Sequence, residues 1–325
     1  MKKIFLKTCI TLFSLSFFSV PVFAFDSPLE NPETNSVNSY FGQNLGGLVS
    51  SSYIYQEKST VKASEDGRIL ILFHEQNNDS DFFPCTLGNG VILAHDDNMA
   101  TVYANLDKNN FGKLISTTEK EIEEPSLEKN KNQAKEIKKI VEYNFDETKI
   151  TNKIEKGEIF ATSGNSAWQK NKNSLEFQIL DLKNSTSINP RLLLPSETEE
   201  IPLSIKNITL KSKNGTFYKL SDTNVLPAGN YKVYRERDSV SAPYKTCLYI
   251  NGVQSDTITY NYLSLYDSKI SCGENNKYSS TDVYPDKLLQ LAGEAAFTPG
   301  KLTVRIELFD IQNNKTQNTF NITIN

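Results

Sequence analysis

Histidine is nearly missing from this chain: 325 residues carry two, His74 and His95. A site built on three histidines of one chain is therefore excluded, and most catalytic zinc geometries go with it. Any Ser-His-Asp or Cys-His arrangement would have to draw on one of these two residues. Runs of basic residues are also lacking. Lys and Arg total 35 against 39 Asp and Glu, for a net charge of −4, so a nucleic-acid partner is not expected. Tryptophan occurs once and methionine twice, whereas Tyr (15) and Phe (18) are plentiful, a balance that leans towards β structure. Hydrophobic residues at 38% and charged residues at 23% fit a globular chain with a core. The length suggests two domains.

The first 24 residues read as a secretory signal peptide: basic Lys2, Lys3 and Lys7, an apolar Ile10 to Val22, and Val22-Phe23-Ala24 as a small-x-small cleavage site. Cleavage near Ala24 implies a periplasmic or secreted protein, with membrane contact only through export. It removes three lysines and no acids, taking the charge to −7. Cys85, Cys247 and Cys272 remain. An odd count in an oxidising compartment means one disulfide and one free thiol, or no disulfide. Cys247 and Cys272 share the C-terminal half and are the expected pair. Cys85, after Phe82-Phe83-Pro84, is expected as a buried small hydrophobe.

Residues 25–39 are polar and rich in Pro, Asn and Ser, a flexible lead by composition. Strand text starts at Tyr40. Thr60 to Ala63, Arg68 to His74, Val91 to His95 and Met99 to Leu106 alternate with turns such as Asp66-Gly67 and Gly88-Asn89-Gly90, a β-meander. Residues 117–147 break the pattern with Glu, Lys and Asn. Leu127, Ala134, Ile137, Ile140 and Val141 predict one amphipathic helix over 127–143, either a solvated insertion or a lid or docking element. Strand text resumes from Ile154 to Leu182. A Ser/Glu/Thr link at 196–200 leads to residues 201–325, where about seven short strands predict a β-sandwich of immunoglobulin-like type, with a short helix between 284 and 296.

The order of phrases from 40 to 195 resembles the LytM/lysostaphin-type metallopeptidase domain. "TVKASEDGRI" is similar to that family's V-x-A-x-x-D-G-x-V. "LGNGVILAHDDNMATVYANL" is similar to its hairpin ending T-x-Y-x-H-L. "IEKGEIFATSGNS", "NSLEFQIL" and "INPRLLLP" follow in the family's order. The resemblance implies a mostly β fold: a LytM-type sheet domain with a helical insertion, then the immunoglobulin-like sandwich. The family's chemistry is zinc-dependent cleavage of peptidoglycan. Its zinc is held by H-x-x-x-D and the second His of H-x-H, with two further histidines assisting.

At the matching positions this chain has Ser50 and Ile54 for H-x-x-x-D, Asn105 for the His of T-x-Y-x-H-L, and Ser174 and Glu176 for H-x-H. Glu176 alone could touch a metal, and one carboxylate does not hold zinc. No metal and no cofactor are expected. His95 matches a hairpin position that is not a ligand in the family, and reads as a hydrogen-bonded strand-end residue or, less simply, a His/Asp site with Asp96 and Asp97. His74 matches nothing. Trp168 is either a packing anchor or a groove-edge residue. Tyr103, Trp168, Glu176 and His95 are the candidate groove residues. The resemblance therefore implies a catalytically inactive peptidase-like envelope protein that binds peptidoglycan or regulates a cell-wall hydrolase. The alternatives are an active metalloendopeptidase with a non-standard site, and a structural or adhesive binding module.

Overall fold

The computed structural model describes residues 25–30, 37–56, 58–73, 87–107, 116–123, 137–144, 153–167, 173–195 and 200–325. The N-terminal half contains β1 (Val37–Ser39), β2 (Asn44–Leu45), β3 (Leu48–Val49), β4 (Tyr53–Tyr55), β5 (Thr60–Lys62), β6 (Gly67–Phe73), β7 (Gly90–Ala94) and β8 (Met99–Ala104). After these come β9 (Ser116–Glu123), β10 (Ile137–Asn144), β11 (Lys153–Ile154), β12 (Ile159–Thr162), β13 (Leu175–Asp181) and β14 (Thr186–Ile188).

Strand β13 organises this half. Its sequence, LEFQILD, alternates with period two, so Leu175, Phe177 and Ile179 enter one core while Glu176 and Gln178 face the other way. Along one side β13 pairs antiparallel with β8. Along the other it pairs first with β4, through Phe177↔Tyr53 and Glu176↔Ile54, and then with β14. Tyr103 of β8 packs edge-on against Phe160 and Phe177, with ring centroids 5.0 and 5.3 Å away, a favoured aromatic geometry.

The C-terminal half contains β15 (Thr209–Ser212), β16 (Phe217–Lys219), β17 (Val225–Leu226), β18 (Gly229–Glu236), β19 (Lys245–Ile250) and β20 (Val253–Thr259). Then follow β21 (Tyr262–Tyr266), β22 (Lys269–Cys272), β23 (Tyr278–Ser279), the single turn α1 (Ser280–Val283), β24 (Leu289–Phe297), β25 (Gly300–Phe309) and β26 (Lys315–Ile324). A four-stranded sheet, β16-β15-β18-β24, and a five-stranded sheet, β17-β26-β25-β19-β20, share a core that includes Leu210, Val233, Leu248, Val304 and Ile306. The chain is thus mostly β, ending in a sandwich.

The two halves share a sheet. Strand β21 leaves the sandwich and pairs with β14, so an 11-stranded sheet runs from β11 to β23. Asn189 fixes the departure: its amide donates to Tyr260 O (3.0 Å), and its backbone N–H donates to Asn261 O (2.8 Å). A third core forms at this junction, where Phe41 and Val49 meet Tyr234, Tyr260, Leu263 and Tyr284. The Tyr284 hydroxyl donates to Gly42 O at 2.6 Å, and Gln43 donates to Asp238 O and Ser241 O.

Four expectations are corrected. Residues 137–143, assigned by spacing to a helix over 127–143, lie in β10, paired in unbroken register with β9; residues 124–136 lie outside the described residues. Isoleucine and valine spaced three or four apart also satisfy a strand, and a partner strand decided between the two. The helix expected within 284–296 is replaced by β24, with only α1 ahead of it; Ser279 and Asp282 cap that turn reciprocally. The described parts of the lead, 25–30 and 37–39, are not free: Phe25 and Leu29 are buried, Leu29 bridges Val61, and Val37–Ser39 is β1. Finally, Cys247 and Cys272 are separate buried thiols. Cys247 lies on β19 of the sandwich and Cys272 on β22 of the shared sheet, so a common half of the sequence did not bring them together. Cys85 lies outside the described residues. Among the described residues no helix is long and apolar enough to cross a membrane.

Candidate functional site

Strands β4, β13 and β8 place Ile54, Glu176 and Ala104 side by side in one row, because cross-strand partners share a face. Glu176 is only 4% exposed. It accepts a hydrogen bond from the Ser52 hydroxyl at 2.5 Å, and Ser52 in turn accepts from Gln178 Nε2 at 2.8 Å. Ser50 reaches the same cluster, its hydroxyl oxygen accepting from Ser52 N at 3.1 Å.

One residue past β8, Asn105 takes a left-handed conformation (φ 63°), which asparagine tolerates better than most residues. Its amide nitrogen donates to Gly164 O (2.8 Å), Ser174 O (2.9 Å) and Ser174 Oγ (2.6 Å). Its amide oxygen accepts from Ala167 N at 2.7 Å. Gly164 is required by close approach: a Cβ there would lie 2.5 Å from Asp107 N. The polar side chains at the positions matched to the family's site therefore fall into two neighbouring groups, Ser50 with Glu176 through Ser52, and Asn105 with Ser174. All five positions are buried. The locus is a packed polar layer rather than an open groove.

This donor set does not fit zinc. Ile54 has no donor atom, Ser50, Asn105 and Ser174 offer neutral oxygens or an amide, and Glu176 is the single carboxylate. Among the described residues no three His, Cys, Asp or Glu side chains converge.

His95 lies elsewhere. Strand alternation puts Thr101 on the face that carries Tyr103 and Phe177, opposite Glu176. His95 Nε2 is 2.7 Å from Thr101 Oγ1, and Nδ1 is 2.7 Å from Asp66 O. The carbonyl can only accept, so Nδ1 carries the proton and Nε2 accepts from the threonine hydroxyl. Burial pushes the imidazole below its ordinary pKa, against the opposing pull of the Asp66 carbonyl and nearby acids. Phe25 packs edge-on to its ring at 5.5 Å. Tyr103, expected at the groove, is fully buried in the core, where its hydroxyl accepts from Ser64 N at 2.8 Å. A strand residue points to one face only, and position 103 has the parity of the core. Trp168 and His74 lie outside the described residues.

The face that carries Glu176 continues into a cavity of about 260 Å³. Gln178, Leu180, Ser187, Leu263, Leu265 and Ile270 are among its lining residues, drawn from both halves of the chain. Sequence reasoning missed Ser52, Gln178 and this cavity. The signal for Gln178 was present, since it lies two residues from Glu176 and so shares its face. The contribution of β21 was not visible, because nothing local marks a strand that changes sheets.

A protein-family model matches residues 202–325. No curated protein matches the chain. Among solved structures, the chain is similar to one in the SpoIIQ–SpoIIIAH pore-forming complex, at 13% identity over 53% of this chain and 91% of that one, with a TM-score of 0.31. It is also similar to a zinc-containing peptidase from Vibrio cholerae, at 12% identity over 55% of this chain and 41% of that one, with a TM-score of 0.29. A third is the catalytic domain of the prophage-encoded protein EnpA from Enterococcus faecalis, in a mutant form, at 17% identity over 49% of this chain and 94% of that one, with a TM-score of 0.26.

Proposed function

We propose that the protein is a non-catalytic, peptidase-like component of the bacterial envelope that binds peptidoglycan or a cell-wall hydrolase. One observation carries this reading. The positions matching the family's zinc and catalytic residues are occupied by Ser50, Ile54, Asn105, Ser174 and Glu176, and the polar ones bond to one another or to Ser52 rather than facing solvent. Buried polar groups satisfied in this way hold strands together. A reaction site would need donors left free for metal and substrate.

The experiment uses the mature full-length chain and insoluble peptidoglycan sacculi. The reading expects co-sedimentation with the sacculi, or with a sacculus-bound hydrolase, and no release of soluble fragments by the protein alone. Chelator-sensitive release of fragments would overturn it in favour of an active endopeptidase.

A further inference from the structure

A second cleft, of about 550 Å³, opens on the C-terminal half. Asn230, Tyr266, Asn275, Asn276, Lys277 and Glu294 line it. It shares no lining residue with the first cavity: of β21, Leu263, Ser264 and Leu265 line that cavity and Tyr266 lines this cleft.

The cleft is held from beneath by one buried carboxylate. Asp256 accepts from Tyr278 OH (2.6 Å), Asn276 Nδ2 (3.0 Å), Glu294 N (2.9 Å) and Thr257 N (2.8 Å). Two separate pieces of chain (the turn leading into β23, and β24) are thereby fixed around the opening. Lys277 is also tethered, donating to Gly273 O at 2.6 Å. Around this frame the chemistry is mixed: Asn276 and Lys277 are held by the bonds just given, while Asn230, Asn275 and Tyr266 are exposed. Tyr266 is 59% exposed. Asparagine amides both donate and accept. Lys277 and Glu294 cancel in charge.

We propose that this cleft binds a neutral, hydroxyl-rich ligand, namely a glycan chain. Sugar hydroxyls both donate and accept, which matches amides better than a lining of one charge sign would. The apolar face of a pyranose ring matches an exposed phenol that has an apolar body and a polar tip. Rigid support from Asp256 lowers the ordering cost of binding. The inference does not rest on the reading of the β4-β13-β8 locus, since a chain with a working zinc site would keep this cleft unchanged.

The test titrates the mature chain calorimetrically with four soluble tetrasaccharides: chitotetraose, cellotetraose, maltotetraose and mannotetraose. At least one is expected to bind. Tyr266→Ala should weaken that binding by roughly tenfold or more, equivalent to losing one aromatic contact. Asn230→Ala should weaken it too. Leu265→Ala, which lines the first cavity and not this cleft, should leave it unchanged. Tyr266 and Asn230 are exposed, so both variants are expected to keep the wild-type thermal unfolding temperature. Failure of all four sugars to bind would overturn the proposal, as would binding indifferent to Tyr266→Ala. Uptake at this cleft of a peptide such as Ala-Glu-Lys in place of any sugar would overturn it as well.

Discussion

The amide of Asn105 and the hydroxyl of Ser174 lie 2.6 Å apart, joining two positions that would each carry a histidine in the LytM-type pattern. Both side chains are buried, and the asparagine also satisfies Gly164 O, Ser174 O and Ala167 N. Asn105→Ala should cost about 2–4 kcal/mol, because it strands buried backbone groups and puts a Cβ in a left-handed conformation without a compensating bond. Asn105→Gly should be roughly 1 kcal/mol milder, since glycine accepts that backbone freely. Urea unfolding of the two variants checks this; equal losses would show that the conformational part of the argument is wrong.

His95 should make stability depend on pH. In the unfolded chain it protonates near the ordinary value of about 6.5. In the folded chain burial holds the pKa lower. Between those values the unfolded state binds more protons, so stability rises with pH. The His95 contribution is complete above about pH 6.5 and is lost as pH falls through the folded value. His95→Gln should therefore be less stable at pH 7 and show a flatter acid slope of the urea midpoint than the parent. Identical slopes would remove His95 as the titrating group.

The thiols give a chemical check on the fold. Cys272 is pushed up to about 12 by burial, so little thiolate exists at neutral pH. Iodoacetamide should leave Cys247 and Cys272 unmodified in the native protein and alkylate both in denaturant without any reductant, as read by peptide mass spectrometry. A requirement for reductant would mean that the two are bridged after all.

The sheet shared by the two halves should make them unfold together. Ser187 lies in β14, flanked by Leu180 of β13 and Leu263 of β21. Ser187→Pro removes a donor from an interior strand and should cost about 3 kcal/mol or more. Calorimetry should show one transition in the parent. Two separated transitions in the parent would mean that the β14–β21 pairing does not couple the halves.

Much of this architecture was legible because it is local. The alternation in Leu175 to Asp181 announces a strand, whereas Asp66-Gly67, expected as a hairpin turn, joins β5 to β6, which pair in different sheets. The matched phrases led to positions that converge in space, down to the Glu176↔Ile54 pair. What escaped was non-local. Residues 137–144 could satisfy helix or strand, and only pairing with 116–123 decided it. The sequence of β21 looks like a continuation of β20, and its transfer to β14 depends on Asn189, 71 residues away from Tyr260. Facing direction was the other gap: Tyr103 belongs to a matched phrase, yet its parity sends it to the core.

The proposed function requires the locus of Ser50, Ile54, Asn105, Ser174 and Glu176 to hold no zinc. The most direct test is zinc stoichiometry of the purified protein after equilibration with excess zinc and removal of free metal, measured by plasma mass spectrometry. The account predicts far less than one zinc per chain. One tightly held zinc per chain, lost together with peptidoglycan-cleaving activity on chelation, would contradict it.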